Sequence, residues 1–62
     1  MWTVVYIAPN RQSAEELKES LVSEGILAMV RPVGLNLYSD QRNHEVLVPE
    51  SEAEDALALV NR

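Results

Sequence analysis

One histidine, His44, sits beside Glu45 and four residues after Asp40, the only local grouping in this chain that suggests metal binding or acid–base chemistry. Such a site needs two or three ligands that converge on one point. Neighbours in a strand point to opposite faces, so His44 and Glu45 do not converge, and His44 reads as a surface histidine. Arg11, Arg31 and Arg42 are the candidates for an anion site with the N-terminus of the first helix, where free N–H groups attract negative charge. The turn Ala8-Pro9-Asn10-Arg11 has none of the glycines of a phosphate nest, so arginines paired with local acids are the expected arrangement. Tyr38 stands in a polar stretch, where it either closes over a ligand or pins its loop to the core. Arg31, Tyr38, Arg42 and His44 are therefore the residues a small ligand would use. Ser13 and Ser51 read as helix caps before they read as nucleophiles. No catalytic set, cofactor motif or metal site is expected, and the chain reads as non-enzymatic.

Composition narrows the partners. Sixty-two residues make a single domain, and one this small buries only about 60% of the surface its unfolded chain exposes. The absence of cysteine removes disulfides and the commonest zinc sites, which leaves oligomerisation as the staple. Ten acids against five bases give a net charge of −5, and the bases are scattered, so nucleic acid is not an expected partner. No apolar run approaches the roughly 18 residues of a membrane span, and Met1-Trp2-Thr3 lacks the basic start of a secretory leader. A cytoplasmic location is expected.

The elements follow from periodicity. Trp2–Ile7 is β-branched and aromatic and predicts a first strand, apolar in both alternate sets, Trp2/Val4/Tyr6 and Thr3/Val5/Ile7. A helix follows, with Asn10 and Ser13 as alternative N-caps. Ser13-Ala14-Glu15-Glu16 fits a capping box that places Glu15 and Glu16 in the positive first turn. Ala14, Leu17 and Leu21 form its inner stripe, and Gly25 followed by Ile26 predicts a Schellman stop in which Ile26 touches Leu21. Ile26–Arg31 predicts strand two, with Ile26, Ala28 and Val30 on one face. Pro32 ends it, and residues 33–43 form a long loop. His44–Val48 predicts strand three. A second helix, from Glu50 or Ser51 to Val60, has Ala53, Ala56, Leu57 and Val60 as its apolar face and Ser51-Glu52-Ala53-Glu54 as a second capping box.

The run Leu21…Glu24-Gly25-Ile26-Leu27-Ala28, then Val46-Leu47-Val48-Pro49 and an alanine-rich helix with Ala53, Ala56 and Leu57, resembles a small bacterial family. Its members are labelled prokaryotic signal-transducing proteins, with a fold likened to the PII nitrogen regulators. The resemblance covers nearly the whole chain but rests on fold motifs, and it carries no catalytic residue. Some relatives add a cysteine-rich, zinc-ribbon-like tail that has no counterpart in residues 1–62. The likeness implies a PII-like fold and a role in signal transduction, or in sensing a small molecule at a dimer interface.

The expected architecture is α+β, a β-α-β-β-α ferredoxin-like two-layer sandwich lacking its fourth strand. A right-handed crossover leaves strands one and two parallel, with strand three between them in sheet order 1-3-2 and both helices on one face. Strand one then has an unpaired outer edge, with no Lys, Pro or bulge before Pro9 to blunt it. The uncovered face shows Trp2, Val4 and Tyr6, or their alternates. These residues are the expected contact for a homodimer, a larger homo-oligomer or another protein.

Overall fold

The computed structural model describes residues 1–34 and 42–61. Strand β1 (Trp2–Ala8), helix α1 (Arg11–Ser23), β2 (Met29–Pro32), β3 (His44–Pro49), a short 3-10 turn (Glu50–Glu52) and α2 (Ala53–Val60) succeed one another in that order. The sheet order is β1-β3-β2, and β3 runs antiparallel to both neighbours. The fold is α+β, a three-stranded sheet with two helices, as the periodicity predicts.

Directly opposed residues of an antiparallel pair share a face. Val46 and Val48 face the helices and join Ala14 and Leu21 of α1, Ala56 of α2, and Val5, Ala8, Ile26 and Ala28 in one buried cluster. Leu17, Val30, Ala53 and Leu59 pack against that cluster. Leu47 faces the other way, with Val4 opposite it on β1 and Met29 on β2.

Helix α1 starts at Asn10 rather than Ser13. Asn10 is extended, and its side-chain Oδ1 accepts the Ser13 backbone N–H at 2.8 Å. Ser13 is thus the third residue of the helix, and its capping box does not form. Starting at Asn10 adds most of a turn of helix while still satisfying a free N–H group. One consequence is that the first turn holds no acid: Glu15 and Glu16 fall beyond it. The stop is as expected. Gly25 has φ +88°, its N–H donates to the Val22 carbonyl at 2.9 Å, and the Ile26 N–H donates to the Leu21 carbonyl at 3.0 Å. Leu21 and Ile26 are both buried.

Two other boundaries differ from expectation for local reasons. Strand β2 begins at Met29, not Ile26, because its register would set Leu27 against Pro49, which has no N–H for the ladder. The Leu27 N–H instead donates to Glu52 Oε2 at 3.2 Å. The second helix opens with the 3-10 turn, with no side-chain cap from Ser51. Glu50 remains tied to the sheet, its N–H donating to the Met1 carbonyl at 2.8 Å. A 3-10 turn winds 120° per residue against 100° for an α-helix, so three residues rotate the adjoining helix by roughly 60°. That rotation accounts for the face α2 presents: Ala53, Ala56 and Leu59 go inward and Leu57 is 40% exposed, correcting the expected stripe through Leu57.

Strand β1 also carries a β-bulge, which its residue pattern does not reveal. Val4 pairs with Leu47 and Tyr6 with Val46, so Val5 is the extra residue. Val5 is buried in the core cluster. The expectation that nothing blunts this edge is therefore corrected, since a bulge interrupts the ladder and twists the strand.

Candidate interaction surface

The face of the sheet away from the helices is built in three rows across the strands. Trp2 lies opposite Pro49; Val4, Leu47 and Met29 form the middle row; Ile7, Glu45 and Arg31 form the third. Leu27 lies before β2, outside the ladder, and is exposed between the buried Ile26 and Ala28. Exposure on the sheet face is high for apolar groups: Trp2 43%, Val4 38% and Ile7 54%. Leu47 at its centre is only 2% exposed. The bulge removes Tyr6 from this set. Tyr6 is exposed, but it lies level with Val46 on the helix side, whereas Ile7 joins Trp2 and Val4. The contact residues expected from sequence, Trp2, Val4 and Tyr6, thus divide between two faces.

The charged corner of the face is an ion pair. Arg31 and Glu45 are directly opposed across β2 and β3, and Glu45 Oε1 accepts both Arg31 Nε–H at 2.9 Å and Nη2–H at 2.6 Å. The arginine is more than half exposed and the glutamate mostly covered. A pair this open to water contributes about 0–1 kcal/mol to stability, so it marks a direction on the surface more than it holds the sheet together.

The four residues proposed for a small ligand are not assembled by the described residues. Arg31 is committed to Glu45 on the open face. His44 is on the opposite face, level with Ala8 and Pro32. It is 4% exposed, which corrects the surface histidine expected from sequence, and its Nδ1–H donates to the Arg42 carbonyl at 2.8 Å. The bond to the backbone carbonyl two residues earlier satisfies Nδ1 and offsets part of the cost of burying the ring. Arg42 lies over Gly34, where φ is +96° and an added Cβ would collide with the Arg42 guanidinium. The Val33 N–H donates to the Asn43 carbonyl at 3.0 Å, extending the β2–β3 register to the base of the loop. Tyr38 and Asp40 lie outside the described residues.

The remaining basic residues among those described, Arg11 and Lys18, fit the expectation of local pairing. Arg11 and Lys18 both approach Glu15 at 3.9 Å along α1. Among the described residues, no three of His, Asp and Glu are placed to hold a metal ion. No helix among them is long and apolar enough to cross a membrane. A groove between the helix ends is lined by Leu17, Ser20, Leu21, Ser23, Glu24 and Leu59. Its polar groups are two hydroxyls and one carboxylate, with no cation for an anionic ligand. Comparison with protein-family models, with curated proteins and with solved structures returns no match.

Proposed function

We propose that this chain is a small non-enzymatic regulatory or protein-interaction module whose working surface is the sheet face opposite the helices. One observation carries the reading: Trp2, Val4 and Ile7 are exposed on the sheet face whose centre is the buried Leu47. Each square ångström of apolar surface left in water costs about 25 cal/mol, and contiguous apolar faces on small domains mark contact sites. Tryptophan at such a face is the residue type most enriched among interface anchors. The occupant is a polypeptide surface with apolar groups of its own.

The order of the three described strands favours a ferredoxin-like unit, the arrangement implied by the resemblance to PII-like bacterial signal-transducing proteins. On that resemblance the role is signal transduction in the bacterial cytoplasm. The non-enzymatic reading draws on the chemistry of His44, the one histidine, which is buried and spends its Nδ1–H on a backbone carbonyl. It draws also on Ser13, which is built into a helix start.

The test is affinity capture from cell extract with the intact chain and with Ile7→Glu as baits. Ile7 lies outside the core, so the variant keeps its fold. At least one polypeptide, an untagged copy of the chain included, should be held by the first bait and lost from the second. Identical retained sets overturn the reading.

A further inference from the structure

Resting on that reading, we infer that the occupant of the sheet face is a second copy of this chain, seated face to face about a two-fold axis. Charge selects this approach. Among the described residues, the two helices carry Glu15, Glu16, Glu19, Glu54 and Asp55 against Arg11 and Lys18. Two copies meeting through their helices bring like charge together. The sheet face carries Arg31 and Glu45, which cancel, so a face-to-face dimer turns both acidic layers outward.

The ion pair makes the same face self-complementary. In a two-fold interface the same patch meets itself, so each charge must find its opposite on an identical surface. Arg31 and Glu45 stand side by side at one corner, positive next to negative. Glu45 uses Oε1 for both Arg31 bonds, which leaves Oε2 as a further acceptor and Arg31 Nη1 as a further donor. An axis beside this corner sets each Arg31 against the Glu45 of the copy. An unrelated partner would need its own acid–base pair at matching spacing.

Size and edge geometry point the same way. A standard interface takes about 800 Å² from each partner, roughly a fifth of the 4304 Å² this chain exposes. A chain of 62 residues without cysteine gains most from that burial. Joining sheets through the edge of β1 is disfavoured by the bulge at Val5, which twists that edge strand.

Sedimentation velocity of the full chain, from low micromolar to several hundred micromolar, should show a dimer. Ile7→Glu should be a monomer with an unchanged far-ultraviolet circular dichroism spectrum. Arg31→Glu and Glu45→Arg should each weaken dimerisation by about tenfold or more, and the double exchange should restore it. A dimer indifferent to Ile7→Glu and to both charge changes places the contact elsewhere and overturns the inference. A chain monomeric throughout also overturns it. If the capture baits still differ for that monomer, only the second copy is lost; if they do not, the interaction reading falls as well.

Discussion

Val4 and Tyr6, two residues apart in β1, lie level with adjacent residues of β3, Leu47 and Val46. Adjacent strand residues face opposite ways, so the two side chains that a regular strand would put together are separated by the sheet. The extra residue between them, Val5, goes into the core. Tyr6→Glu is therefore expected to leave self-association unchanged in sedimentation, whereas Ile7→Glu abolishes it. A continuous register would reverse the two results.

The start and stop of α1 rest on single residues. Asn10→Ala removes the side-chain acceptor for the Ser13 N–H and should cost about 1 kcal/mol, while Asn10→Asp keeps the acceptor and stays near the parent. Gly25→Ala meets no atom within 4 Å, so its whole cost is backbone strain at φ +88°, about 1 kcal/mol. In a domain this small each loss lowers the melting temperature by about 4–8 °C. Equal melting of Asn10→Ala and the parent would mean that the helix begins at Ser13 after all.

Legibility in the residues tracked how local each signal was. The Schellman stop needs only a glycine and two apolar residues at fixed offsets, and Leu21, Gly25 and Ile26 supply them. The strand order was legible too, because three extended segments around one crossover leave few arrangements. The bulge could not be placed. Trp2/Val4/Tyr6 and Thr3/Val5/Ile7 are both apolar enough to face a core, so no alternation shows where the register slips. The cost of burying His44 is offset in part by the Arg42 carbonyl, a backbone group that no residue pattern marks. The candidate face was thus recognised as a strand property, but its membership, with Ile7 in and Tyr6 out, required the pairing register.

The phase of α2 makes a separate test of packing. Leu59 packs on the core while Leu57 faces water. Leu59→Ala should cost about 2 kcal/mol, and Leu57→Ala should stay within about 0.5 kcal/mol. Ala56 is fully buried where the helix meets the sheet, so Ala56→Leu should overpack the contact and cost about 1–3 kcal/mol. Denaturant titration with a common slope gives all three values. A larger loss at Leu57 than at Leu59 would restore the stripe that an uninterrupted α-helix from Ser51 predicts.

The bond from the Leu27 N–H to Glu52 ties the chain before β2 to the turn before α2, 25 residues later. It takes over where the ladder fails, since Pro49 stands where a strand partner for Leu27 would be. The bond is exposed and 3.2 Å long, so water can replace it and its net worth is about 0.5 kcal/mol. Stability alone is a poor readout for a difference of that size. Amide hydrogen exchange is better, because it reports the one N–H concerned. Glu52→Ala should speed exchange at Leu27 several-fold while leaving Val30, inside the β2–β3 ladder, unchanged. Glu52→Gln keeps a carbonyl acceptor and should fall between the two. Equal exchange at Leu27 in all three proteins would show that the Leu27 amide is held by something other than this carboxylate.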